Sequence, residues 1–165
     1  MRVLGIDPGS RVTGLGIVES SNQSLIALHS ENLRLGDGPL PDRLGAIYRR
    51  VADLVLEYSL EMVAVEQVFV ANNARSALVL GQARGSAICS AMNGGCGVVE
   101  YSALQIKRAV VGSGSATKDQ VQHMVRILLG LRTSPGKDAA DALACAICHI
   151  HTSEVNSRLG QGVVQ

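Results

Sequence analysis

Two apolar runs of strand-like composition each end on an acid: RVLGID, residues 2–7, and MVAVE, residues 62–66. Runs so short, so β-branched and so nearly uncharged suit strands buried on both faces, so each is expected at the centre of a sheet, the second parallel to the first. A carboxylate attached to such a strand has to be paired, protonated or bound to a cation. Asp7 and Glu66 therefore restrict the fold more than any other residues. For Asp7 a plainer role also exists, because Asp-Pro-Gly is a good β-turn with Asp first and Pro second.

The remaining elements follow from periodicity and punctuation. The turn PGSR leads into VTGLGIVE (12–19), the hairpin partner of the first strand, and residues 24–35 give a third strand that ends at the loop GDGPLP. Pro41 and Asp42 open a helix in which Leu44, Ile47, Tyr48, Val51, Leu54 and Val55 recur at helical spacing through about Tyr58. A long Ala- and Gly-rich helix is expected from about Asn73 to Met92, stopped by Asn93-Gly94-Gly95, its small residues suited to packing closely on another helix, of this subunit or a second one. CGVVEY (96–101) is the next strand, Ser102 caps a helix over 102–111, and GSGSA (112–116) links to a helix from about Thr117 to Leu129. After TSPGK the last helix runs from Asp138 to about Ile150. This order describes an α/β protein built on one mixed sheet of five strands, the first three antiparallel, with helices on both faces. A single domain over 1–155 and a flexible C-terminal tail over 156–165 are expected.

Composition excludes several classes. With 165 residues, 47% hydrophobic and 18% charged, the chain is long enough for a real core and too apolar to be disordered. No apolar run reaches the ~18 residues of a membrane span, and Met1-Arg2 passes straight into a strand with no secretory leader, so a cytoplasmic location is expected. In that compartment Cys89, Cys96, Cys145 and Cys148 are expected to be reduced core residues. Charge is unevenly spread: Glu31 to Glu66 holds four Arg against seven acids, a balance of −3, whereas Tyr101 to Lys137 holds six Lys/Arg against Asp119 alone, a balance of +5. A basic half beside an acidic half hints at a polyanionic partner.

KDAADALACA adds two further acids, Asp138 and Asp141, spaced i and i+3 on the first turn of a helix and so on one face. Acids favour helix N-termini through capping and the macrodipole, but this helix continues as Ala-Leu-Ala-Cys-Ala-Ile and is largely buried. Asp7, Glu66, Asp138 and Asp141 could thus converge, and four carboxylates that converge repel unless cations lie between them. All-oxygen ligation suits Mg²⁺ or Mn²⁺, and paired ions about 3.5–4 Å apart are a standard arrangement for phosphodiester cleavage. Cys145-x-x-Cys148-His149-x-His151 has superficial zinc spacing, but its cysteines fall within an apolar helix.

GIDPGSRVTGLGIVE (5–19), VEQVFVANNARSALVLGQARG (65–85), VVGSGSATKDQVQHMV (110–125) and DAADALACAICH (138–149) occur in this order, and together they closely resemble the bacterial Holliday junction resolvase family RuvC. The resemblance spans nearly the whole chain, failing only in the tail and around 36–40. It implies a ribonuclease-H-like fold and a homodimeric endodeoxyribonuclease of DNA recombination and repair. Such an enzyme cuts four-way DNA junctions by symmetric nicks in two strands of like polarity, leaving 5′-phosphate and 3′-hydroxyl ends. It further implies Asp7, Glu66, Asp138 and Asp141 as catalytic metal ligands for two Mg²⁺ per active site, with Mn²⁺ able to substitute, and RuvA and RuvB as branch-migration partners. Phe69 would stack near the exchange point, and Lys107 and Lys118 would lie near DNA. The residues themselves agree in kind: Phe69 is the one Phe of the chain, placed just past the Glu66 strand, and both lysines lie in the +5 region.

The expected chemistry is in-line attack of a metal-activated water on phosphorus, with Asp7 bridging the ions from its central strand. Gly14 and Gly16 are expected to leave room above the site for a DNA backbone. A non-catalytic junction-binding module would have lost one of the acids, and all four are present. An actin-like ATPase shares the strand ending in Asp-x-Gly-Ser but needs a second acidic loop and an adenosine motif that this chain lacks. A shorter resolvase-like family that processes RNA ends does not share the long matches at 65–85 and 110–125.

Overall fold

A computed structural model describes residues 1–22, 24–67, 73–158 and 160. Its elements are β1 (Arg2–Asp7), β2 (Val12–Ser21), β3 (Ser24–Arg34), α1 (Leu40–Tyr58), β4 (Met62–Glu66), α2 (Ala74–Asn93), β5 (Gly97–Tyr101), α3 (Ala103–Val111), α4 (Lys118–Leu128) and α5 (Lys137–Arg158). Start signals sit where the sequence puts them. Asn73 accepts from the amides of Arg75 and Ser76 at the head of α2, and Ser102 with Gln105 and Thr117 with Gln120 form capping boxes on α3 and α4. Helix α5 differs from expectation, running on to Arg158, past both Ile150 and the expected start of the tail. The apolar pattern stops at Ile150, whereas the backbone continues helical with Thr152 and Ser157 hydroxyls donating to the carbonyls of Cys148 and Ser153.

The strands form one mixed sheet in the order β3-β2-β1-β4-β5, antiparallel across β3-β2-β1 and parallel across β1-β4-β5, which is the ribonuclease-H-like arrangement. Alternation along the strands divides the core in two. Leu4, Ile6, Leu15, Ile17, Val63 and Val65 point to the face covered by α1 and α2, while Val3, Val18 and Ala64 point to the face covered by α3, α4 and α5. By the same parity Asp7 and Glu66 belong to the α5 face. Among the described residues no helix is long and apolar enough to cross a membrane.

Glycines decide how closely α5 can approach. A Cβ on Gly5 would overlap the Ala142 carbonyl oxygen, one on Gly14 the Asp138 carbonyl oxygen, and one on Gly16 the Leu143 side chain. The space above Gly14 and Gly16 is therefore filled by α5, correcting the expectation that it is kept for a DNA backbone. Ala139, Ala142 and Ala146, whose backbones meet Gly14 and Gly5, keep the facing surface of the helix equally low and buried.

Because the colliding atoms at Gly5 are backbone, relief requires α5 to lift. Gly5→Ala is expected to lower the unfolding free energy by about 1–3 kcal/mol, the range for overpacking. Gly38→Ala, in a loop with nothing near its Cβ position, should stay within about 0.5 kcal/mol of the unsubstituted protein in the same urea titration.

Candidate active site

Sheet register delivers the first two acids. Ile6 pairs with Val65, so Asp7 and Glu66 are the next residues out on adjacent parallel strands, at the same end and on the same face. The chain reverses after Asp7 through a turn that is tied down twice. The Thr13 hydroxyl, wholly buried, donates to the Gly9 carbonyl at 2.8 Å and accepts from the Gly9 amide at 3.4 Å. From α1, Arg43 Nη1 donates to the Ser10 carbonyl at 2.6 Å.

Helix α5 delivers the other two. Asp138 and Asp141 stand in its first turns, directly over the β1–β2 floor, where the Asp138 carbonyl rests on Gly14. Gly14 is paired with Asp7 on one side and with Asn32 of β3 on the other, and the Asn32 Oδ1 accepts a hydrogen bond from the Ala139 amide at 2.7 Å.

The four acids act on one another electrostatically. Burial first, then the charges of Glu66, Asp141 and Asp138, push the Asp7 carboxyl up from 3.8 to about 7, with only Lys118 opposing. Glu66 is raised as well, chiefly by burial and next by Asp141, against Lys118 and Lys107. Lys118 is raised in turn by its hydrogen bond to Asp141, its Nζ lying 3.1 Å from the Asp141 Oδ2. That pair stands between two clefts. One, of about 150 Å³, is lined by Glu66, Ile106, Lys107, Lys118 and Asp141 among others. The second, of about 170 Å³, is lined by Lys118, Asp119, Gln122, Lys137, Asp138 and Asp141.

The donor set fits hard divalent cations: four carboxylates, no thiolate or imidazole in either cleft wall, and an Asp7 carboxyl raised first by burial and then by the charges of the other three acids. Among the described residues no group of three or more His, Cys, Asp or Glu side chains is gathered as a ready-made ion cage, and Asp141 spends an oxygen on Lys118 instead. The Cys145-x-x-Cys148 spacing leads elsewhere: both thiols are free and buried in α5, and burial raises both, while of the other two free cysteines Cys96 is buried and Cys89 is exposed on α2, against the expectation that all four are core residues.

Of the residues singled out from sequence, Glu66, Asp141, Lys107 and Lys118 line the first cleft and Asp138, Asp141 and Lys118 the second, while Asp7 lines neither and is tied to the other acids and to Lys118 through their charges. Phe69 lies outside the described residues. Thr13 and Asn32 were not legible as site residues. A buried hydroxyl four positions after Gly9 is a faint signal for Thr13, but nothing local links Asn32 to an amide 107 residues away.

Residues 3–149 match the family described as crossover junction endodeoxyribonuclease RuvC. A relative of that name from Marinobacter nauticus is 53% identical over 159 residues, covering 96% of this chain and 91% of its own length. Among solved structures, Thermus thermophilus RuvC superposes with a TM-score of 0.84 at 35% identity, covering 98% of both chains. The Thermus thermophilus RuvC in complex with a Holliday junction substrate gives 0.85 at 33% identity with the same coverage.

An acid pushed up in the folded state holds its proton there more tightly than in the unfolded chain, so stability falls as pH rises through the window between the two values. For Asp7 that window lies between about 4 and about 7. In the absence of divalent cations the protein should therefore lose stability from pH 5 to pH 8, and Asp7→Asn should flatten the loss and be more stable at pH 8 by on the order of 1–3 kcal/mol. Urea titrations in EDTA at the two pH values check this; equal pH slopes for the two proteins would contradict it.

Proposed function

Because this chain belongs to the crossover junction endodeoxyribonuclease family RuvC, we propose that it resolves Holliday junctions by hydrolysing DNA phosphodiesters at the cleft of Asp7, Glu66, Asp138 and Asp141. The observation that carries the reading is the Asp7 carboxyl pushed to about 7 by burial and by three neighbouring acids. A cluster so costly to the metal-free protein is useful where cations neutralise it and a polyanion must then approach.

The family is metal-dependent, and the carboxylates of Asp7, Glu66, Asp138 and Asp141 are the groups that would hold two Mg²⁺ here, with Mn²⁺ able to substitute. Bound cations of this kind lower the pKa of a coordinated water and stabilise charge on the leaving oxygen. The chain's own part is to orient and to attract. Glu66 and Asp7 are fixed by paired strands and Asp138 and Asp141 by a helix pressed onto glycine, so all four are carried on rigid elements. Lys118, most of whose side chain is exposed to solvent, can exchange Asp141 for a DNA phosphate, and Lys107 on the other wall offers a second positive group to the same strand. Phe69 is proposed to stack on a base near the exchange point. The products would carry 5′-phosphate and 3′-hydroxyl ends.

Symmetric nicks in two strands of like polarity need two such clefts. Helix α2 offers a surface for a second copy. Its Ala83, Ala87 and Ala91 are buried against the core, while Leu78 (70% exposed), Gly81, Gly85, Cys89 and Met92 (63% exposed) make a stripe at three- and four-residue spacing on the outside. A homodimer joined along this stripe, acting in the cytoplasm with the RuvA and RuvB proteins of the family, completes the reading.

A mobile four-way junction incubated with the protein and Mg²⁺ is expected to receive paired, ligatable nicks while a linear duplex is spared. Asp7→Asn should lower the rate by more than about 100-fold, beyond what losing a partner that merely orients a metal ligand costs, while junction binding persists. Equal cutting of duplex and junction, or an Asp7→Asn protein that cuts normally, would defeat the assignment. Leu78→Arg should convert dimer to monomer in sedimentation velocity; an unchanged sedimentation coefficient would remove α2 from the interface.

A further inference from the structure

A helix is normally started by the residue before it, whose side-chain oxygen accepts from the second or third amide of the first turn. Helices α2, α3 and α4 follow this pattern through Asn73, Ser102 and Thr117. Helix α5 cannot, because the residue before Lys137 is Gly136, whose carbonyl accepts from Ala140 at 2.8 Å but which has no side chain. The third amide of α5, that of Ala139, is met instead by Asn32 Oδ1 from near the C-terminal end of β3, at 2.7 Å. The absence of a side chain at Gly136 is what admits it: a Cβ there would overlap the Asn32 amide group.

The cap is placed with respect to the proposed metal ligands. Asn32 of β3 pairs with Gly14 of β2, and Gly14 pairs in turn with Asp7 of β1, so the three occupy one transverse row of the sheet on the face that α5 covers. The same row touches the helix at two successive residues, the Asp138 carbonyl on Gly14 and the Ala139 amide on Asn32. A short translation or rotation of the α5 start would move Asp138 and Asp141 relative to Asp7, and the glycine floor opposes only downward movement. The Asn32 hydrogen bond opposes movement along and around the helix axis.

We propose that Asn32 is a positioning residue for the active site, capping α5 from β3 so that Asp138 and Asp141 are held in register with Asp7 for divalent-cation binding. The inference rests on the nuclease reading for its effect on turnover, but its effect on cation affinity can be measured without any DNA. Mn²⁺ binding to the purified, chelator-treated protein is followed by calorimetry, and junction cleavage at saturating Mg²⁺ and junction affinity in Ca²⁺ are measured in parallel. Asn32→Ala, and independently Gly136→Ala, which displaces the Asn32 amide from the other side, are each expected to weaken Mn²⁺ binding and slow turnover about 10-fold. Junction affinity should stay within about twofold, because the DNA-facing lysines are untouched. Asn32→Asp keeps the accepting oxygen and should retain wild-type Mn²⁺ affinity and turnover within about threefold, a rescue that loss of bulk stability would not follow. Mn²⁺ binding by Asn32→Ala within twofold of wild type, or an Asn32→Asp protein as impaired as Asn32→Ala, would overturn the proposal. If the wild-type protein does not cut junctions at all, the nuclease reading fails while the Mn²⁺ comparison still decides the role of Asn32.

Discussion

Helix α5 rests on β1 and β2 by backbone, with glycines below and alanines above, and nearly everything else in the molecule follows from that approach. Layers joined through large side chains sit about 10 Å apart; here the helix comes close enough that its carbonyl groups meet the strand backbones. Such proximity costs hydrophobic area at the centre of the sheet. It is offset at the flanks, where Leu143, Ile147 and Ile150 join Val18, Ile106, Val110, Val121 and Val125 in the larger core that also anchors α3 and α4. The arrangement puts the first turn of α5 within reach of the ends of β1 and β4. A bulkier floor would keep the fold class and separate the acids.

That geometry has an electrostatic cost. Asp7 is raised by desolvation and by three like charges, and Glu66 by desolvation and Asp141, so the protein without cations carries a cluster that favours its own protonation. Lys118 is the partial answer within the chain. Its pairing with Asp141 lowers the repulsion felt by both strand acids while leaving most of its own side chain in water. The charge that the proposed function would use is thus the charge that costs stability, as is common where charge is assembled for catalysis.

Much of this was legible in the sequence because it is written locally. RVLGID and MVAVE are apolar enough to specify central strands, and period-two alternation then assigns Asp7 and Glu66 to the same face as Val3 and Ala64. Asp138 and Asp141 share a helix face by spacing alone, and Ser102, Thr117 and Asn73 announce their helices by side chains that bond within three residues. Where the signal stops, so does the expectation: the apolar pattern of α5 ends at Ile150, although the helix continues on the strength of backbone and hydroxyl hydrogen bonds. The glycines of β2 were visible but not their purpose, since a missing side chain does not say which neighbour fills its place.

The sequence by itself determined the residue types, the strand parity and the order of elements, and from these the identity of the four acids. Only the tertiary structure decided which empty space belongs to α5, that Lys118 partners Asp141, that Thr13 ties the turn behind Asp7, and that Asn32 caps a helix 107 residues away. The division has a physical reason. Burial pattern, propensity and local capping act over a few residues and leave a periodic trace, whereas a hydrogen bond or close approach between distant segments depends on how layers stack, which no local period records.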